Sequence, residues 1–175
     1  MTTKTTTTIK EAKNQAREVQ NFLEKIVINV GLGRASQQPN FEEKMLKQAS
    51  SDLAALSGQQ PQVRRATKSI AGFKTREGQI IGIRLTLRAR KMVDFFKRLI
   101  TIVLPRVRDF SGIPLKGVDE GGCLNIGLKE QYVFTEINPE DSPLIFSLQI
   151  TVVPKHKNRD EAIAAYRTFG MPFMK

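Results

Sequence analysis

Residues 79–109 read QIIGIRLTLRARKMVDFFKRLITIVLPRVRD, and the fold can be argued outward from this stretch. Its first part alternates. Ile81, Ile83, Leu85 and Leu87 fall on one side of an extended chain, and Gly82, Arg84, Thr86 and Arg88 on the other, because successive strand residues point to opposite faces. Its second part changes period. Met92, Val93, Phe96, Leu99, Ile100 and Val103 recur at helical spacing, which predicts a long helix over 89–109 with one buried stripe. Pro105 should kink or end that helix. A strand with one apolar face, followed by a helix with one apolar stripe, predicts a sheet covered by helices on one side.

The flanking sequence fits the same plan. Residues 25–31 (KIVINVG) form a β-branched run in which Ile26, Ile28 and Val30 oppose Val27 and Asn29. Residues 144–153 (LIFSLQITVV) predict a strand with Leu144, Phe146, Leu148, Ile150 and Val152 inward and Ser147, Gln149 and Thr151 outward. Residues 62–66 add another strand, and short ones fit 123–127 and 131–134. Helices are expected over 9–22, over 40–57 up to Gly58, and from Asn158 to Gly170, where Glu161 stands at the capping-box position. Residues 1–8 are Thr-rich and predict a disordered tail. The expected fold class is α+β: one domain over 9–175, a mostly antiparallel sheet, helices on one face and a polar opposite face.

The charge is unevenly placed. The 175 residues carry 28 Lys+Arg against 17 Asp+Glu, a net +11. Residues 62–108 hold thirteen basic side chains against Glu77 and Asp94, so this block alone accounts for the whole excess. Residues 109–145 are net −5. A basic block of this kind points to a polyanion, nucleic acid before acidic membrane. The predicted polar sheet face carries Asn, Gln, Thr, Ser and Arg and no aromatic residue. It is either an ordinary solvated face or a surface for phosphates and 2′-hydroxyls; stacking of splayed bases, which needs exposed aromatics, is disfavoured. Between the strands, 67–79 (TKSIAGFKTREGQ) predicts a basic arm hinged by Gly72 and Gly78, with Phe73 either at its tip or folded back on the core.

Several chemistries are set aside. One cysteine, Cys123, excludes an internal disulfide or a Cys-based metal cage. One histidine, His156, argues against His-rich zinc sites and most His-dependent catalysis. Gly31-Leu32-Gly33 after a strand is half a dinucleotide fingerprint, but Ser36 stands where the third glycine belongs, so a tight turn is preferred. No phosphate-cradling G-K-S/T loop, nucleophile elbow or paired-carboxylate motif occurs. No cofactor is expected. No apolar run approaches the roughly 18–20 residues of a membrane span, so no membrane partner is expected and the location read from the chain is the cytoplasm. An RNA-modifying or RNA-processing enzyme using the same basic surface is the alternative to a binding protein.

Six blocks carry a resemblance: LEKIVINVGLG (23–33), SDLAALSGQQP (51–61), RRATKSIAGFKTREG (64–78), IGIRLTLR (81–88), FFKRLITIVLPRVRDFSG (95–112) and RTFGMPFMK (167–175). In order and spacing they resemble the bacterial form of large-subunit ribosomal protein five, a family that binds 5S rRNA. The Thr-rich start departs from it and lacks the proline-containing turn expected before the first strand. The resemblance implies a structural, non-enzymatic role in the large ribosomal subunit. It implies 5S rRNA contacts at Asn29, Gln59, Thr86 and Arg88, to which the polar face adds Arg84. It further implies that the basic loop meets peptidyl-site tRNA, here through Arg65, Lys68, Ser69, Gly72, Phe73, Lys74 and Arg76. Loops after the long helix would meet a small-subunit head protein, here through Asp109, Ser111, Gly112, Glu136, Glu140 and Asp141. Large-subunit rRNA and neighbouring ribosomal proteins are further partners under this reading.

Overall fold

The computed structural model describes residues 14–33, 35–37 and 41–174. The expected tail over 1–8 and the first turn of the expected helix over 9–22 lie outside them. Helix α1 covers 14–22 and runs directly into β1 (Leu23–Gly31). A wide turn, Phe41–Leu46, leads into α2 (Lys47–Ser57). Strands β2 (Gln62–Arg65) and β3 (Ile80–Leu87) precede α3 (Ala89–Arg98). Then come β4 (Leu124–Leu128), β5 (Leu148–Pro154) and α4 (Arg159–Thr168).

The five strands form one antiparallel sheet in the order β2-β3-β1-β5-β4. Its apolar face comes from the predicted alternation: Ile26, Ile28 and Val30, Ile83, Leu85 and Leu87, and Leu148, Ile150 and Val152 are all buried. Against it pack Leu53 and Leu56 of α2, Met92, Phe95 and Phe96 of α3, and Tyr166 of α4. Removing each such aliphatic or aromatic side chain from water contributes about 1.5–3 kcal/mol, which is why the stripes and the strand face seek each other.

The long helix ends as its sequence demands. After α3 the chain passes through a π turn, Leu99–Val103, where the N–H of Leu104 reaches the carbonyl of Leu99. Pro105 lacks an N–H, and the backbone turns extended at Val107. In α4, Asn158 Oδ1 accepts from the N–H groups of Asp160 and Glu161, and its amide donates to Glu161, the predicted capping arrangement.

Three expectations are corrected. First, Ile81 is not on the core side. Arg64 pairs with Gly82 but Arg65 with Ile80, so β3 carries one extra residue there. The bulge turns Ile80 into the core and leaves Ile81 exposed. Second, residues 144–147 lie outside the sheet, and β5 begins at Leu148. The fully buried Gln131 explains this: its Nε2 donates to the Leu144 carbonyl and its Oε1 accepts from the Phe146 N–H. Gln48 pairs with both backbone groups of Leu144 in the same way. Two side-chain amides thus satisfy backbone groups that a neighbouring strand would otherwise take. Third, residues 131–134 are not a strand; Gln131–Val133 form a 3₁₀ turn, which presents Gln131 to that segment.

Candidate nucleic-acid interface

The opposite sheet face is built in rows by strand register. One row runs Gln62, Arg84, Asn29, Gln149, Gly127 across all five strands. The next runs Thr86, Val27, Thr151, Asn125. Val27 is buried even here, because it sits on the central strand between two threonines. Over the Arg84, Asn29, Gln149 and Gly127 part of the first row lies an open concavity of about 780 Å³ that Arg64, Asn125 and Lys129 also border.

Gln59 reaches this face from another element. Gly58 adopts a left-handed conformation (φ 64°) and closes α2 with its N–H on the Ala54 carbonyl. Ser57 Oγ accepts from the Gln59 N–H. Lys91 Nζ donates to the Gly58 carbonyl at 2.6 Å. So held, Gln59 extends its Nε2 to the Thr86 carbonyl at 3.2 Å. Its Oε1 and second N–H have no partner among the described residues. Arg88 follows at the end of β3, before Ala89 at φ 49°. That conformation is sterically costly for a residue with a Cβ, and it marks the strand-to-helix corner where Arg88 stands exposed.

Much of this face's hydrogen-bonding capacity is unspent. Among the described residues, the side chains of Asn29, Thr86 and Gln149 have no protein partner, whereas Thr151 donates to Asn125 at 2.7 Å. Arg84 Nε is the sharper case, a buried donor with no partner. Native structures rarely leave such a group alone.

The basic arm is two short pairings rather than one continuous hairpin. Ala66 pairs through its N–H and carbonyl with Gln79 and Gly78, and Ile70 pairs with Thr75. Between them Ser69 Oγ accepts from the Glu77 N–H. Arg65 donates to the Gly78 carbonyl and staples the neck. Gln79 donates to Ser36 Oγ at 2.7 Å and anchors the arm to the turn after β1. Phe73 is at the tip, 76% exposed, in the 3₁₀ turn Ala71–Phe73. Lys68, Lys74, Gly72 and Arg76 are exposed around it. Of the residues expected to meet tRNA, then, Arg65 and Ser69 shape the arm, and the others form its outer surface.

The acidic segment divides. Glu136 forms an ion pair with Arg98, which also donates to the Leu56 carbonyl. It ties the loop to α3. Glu140 and Asp141 are exposed on a turn organised by Asn138, whose Nδ2 donates to Asp141. Asp109 and Ser111 are exposed on the stretch that leaves α3. Gly112 has a structural duty: at φ 107°, an added Cβ would come within 2.8 Å of the Met174 nitrogen. There the C-terminal segment pairs with Ile113 through the Pro172 and Met174 backbone.

The environment of Cys123 disfavours the thiolate form. Burial, with Asp119 beside it, holds its thiol above the ordinary range. No helix among the described residues is long and apolar enough to cross a membrane.

A sheet with helices on one face and an unspent, arginine-bearing polar face on the other defines an α+β protein with a surface suited to RNA. Comparison with known proteins agrees. The family described as "Ribosomal protein L5" matches residues 20–76, and the model of the same ribosomal family's C-terminus matches residues 80–173. The large ribosomal subunit protein uL5 of Geotalea daltonii is 49% identical over 151 residues, 86% of this chain and 82% of the relative. That of Fusobacterium nucleatum subsp. nucleatum is 44% identical over 153 residues, 87% and 81% of the two chains. The uL5c of Gracilaria tenuistipitata var. liui is 45% identical over 152 residues, 87% and 83%. The chain belongs to the ribosomal protein L5 family: it is a ribosomal protein of the large subunit, a structural component and not an enzyme.

Proposed function

We propose that this protein binds 5S rRNA in the large ribosomal subunit through its polar sheet face, centred on Asn29, Gln59, Arg84, Thr86 and Arg88. The observation that carries the reading is the unpartnered Arg84 Nε, buried beside the unspent Asn29 and Thr86 side chains. A buried donor without an acceptor costs about 1–3 kcal/mol; an RNA oxygen would supply the acceptor. Cations of the 62–108 block neutralise phosphates, and the neutral groups discriminate the shape of the RNA. The exposed arm tip around Phe73, with Lys68, Lys74 and Arg76, is the surface offered to peptidyl-site tRNA. Asp109, Glu140 and Asp141 are the groups offered to a basic protein of the small-subunit head, an encounter favoured by opposite charge. Residues 9–175 act in this as one domain.

The test is filter binding with 5S rRNA and an unrelated RNA of similar length. The double variant Asn29→Ala/Thr86→Ala should lose affinity for 5S rRNA while its weaker affinity for the unrelated RNA changes little. Equal loss on both RNAs would refute the assignment of specificity to this face.

A further inference from the structure

The exposed acids Glu140 and Asp141 sit on a turn that belongs to no strand or helix, yet both of its ends are tied. On the N-terminal side Glu136 pairs with Arg98, and Arg98 also donates to the Leu56 carbonyl at 2.9 Å. That carbonyl lies in the last turn of α2, where helix geometry leaves carbonyls without an internal partner and favours a cation. On the C-terminal side the buried Ser142 donates to Asp52 Oδ1 at 2.5 Å, and Tyr132 donates to the Ser142 carbonyl. Two residues further on, Gln48 holds both backbone groups of Leu144, at 3.3 and 3.4 Å.

These ties share one origin. Gln48, Asp52 and Leu56 are spaced four apart on α2, so they fall along one side of the helix and span about 12 Å of its length. The stretch from Glu136 to Leu144 is thus fastened to one helix at three points. Apolar packing does little of this work at the tip: of residues 137–141 only Ile137 is buried. The orientation of the acidic turn therefore rests on polar contacts. Asp52 Oδ2 is itself buried with no partner, a cost the fold carries at this position.

We infer that Gln48, Asp52 and Ser142 are positioning residues for this docking surface: they hold Glu140 and Asp141 in one orientation for the basic small-subunit protein and touch no partner themselves. The inference rests on that part of the proposed function. A turn that is already ordered loses less conformational freedom on binding than a loose one. Release of a tie lowers affinity without removing any charge that the partner meets.

The test uses the full chain and a fluorescent decalysine peptide as the basic probe, with binding followed by anisotropy at about 0.05 M and about 0.15 M salt. Ser142→Ala and Gln48→Met each remove a tie and leave the net charge unchanged. Each should weaken binding about three- to tenfold, by the same factor at both salt concentrations. Backbone amides within 138–142 should exchange faster with solvent deuterium while those of β1 keep their protection. The double variant Glu140→Gln/Asp141→Asn should instead lose more at the lower salt, where charge is least screened. A loss independent of salt thereby separates orientation from charge. Gln48 is only half-buried, so Gln48→Met carries the test if Ser142→Ala disturbs the fold. Wild-type affinity for decalysine in both the Ser142→Ala and Gln48→Met proteins would overturn the inference while leaving acidic docking intact. Wild-type affinity in Glu140→Gln/Asp141→Asn would instead remove the reading on which the inference rests.

Discussion

Arg84 should respond to substitution with opposite signs in stability and in binding. Its aliphatic stem is partly buried on β3, and its Nε is shielded from water without a partner. Replacing it by Met keeps a stem of similar length and removes the stranded donor. A lone buried donor costs about 1–3 kcal/mol. Arg84 as a whole is only partly buried, so the low end applies, and Arg84→Met should stabilise the free protein by about 1 kcal/mol. For a chain of this size that is a rise of about 2–4 °C in melting temperature. Binding should move the other way. Each phosphate contact contributes about 0.7–0.9 to the slope of log K against log salt. Loss of one contact makes that slope shallower by the same amount and lowers affinity about five- to tenfold near 0.1 M salt. The assays are denaturant and thermal unfolding of the free protein, and 5S rRNA binding at five or more salt concentrations. A variant that unfolds more readily and binds with an unchanged salt slope would show that Arg84 serves the fold, and the argument from its unpaired donor would fail.

Three further substitutions have outcomes set by local geometry. Gly112→Ala combines a left-handed backbone with a contact of 2.8 Å to the Met174 nitrogen, and should cost about 2–4 kcal/mol in urea unfolding; Gly72→Ala, in open space at an ordinary φ, should change stability by under about 0.5 kcal/mol. Tyr166→Phe should cost about 1–2 kcal/mol at neutral pH, because the buried hydroxyl donates to the Gly122 carbonyl at 3.0 Å. Burial pushes that hydroxyl above its ordinary value of about 10. The unfolded chain therefore releases the proton near pH 10 while the folded chain keeps it. The resulting stability is complete below that pH and is lost as pH rises further. A phenylalanine at this position cannot ionise, so the gap between the variant and the wild type should narrow above pH 10 in pH-dependent unfolding.

Legibility in the sequence followed the range of each interaction. The inward sets of β1, β3 and β5 were readable because period-two alternation is a local property, as were the stripe of α3 and the cap of α4. The same alternation placed Asn29, Arg84, Thr86, Gln149 and Thr151 on one face. Ile81 was misplaced, because the bulge depends on how β2 registers against β3. Residues 144–147 (LIFS) continue the alternation of β5 and read as part of that strand. The amides of Gln131 and Gln48, distant in sequence from their targets, take the backbone groups of Leu144 and Phe146 that a ladder would use. Gln59 had no alternation to reveal it; its place depends on the left-handed turn at Gly58 and on Lys91 from another helix.

Sequence alone determined most of the inward and outward strand positions, Ile81 and residues 144–147 excepted, the concentration of positive charge in 62–108 and the family blocks. These are written in spacing and composition, which need no partner to be read. Tertiary structure decided which outward groups share a row, and that Gln59 joins Thr86. It showed that Glu136 is committed to Arg98, and that Gln48, Asp52 and Leu56 fasten the acidic turn from one helix. The physical reason is that hydrogen bonds and exclusion of water depend on atoms brought together through space. Arg84 is one arginine among thirteen basic residues in its block until the strands beside it shield its Nε from water.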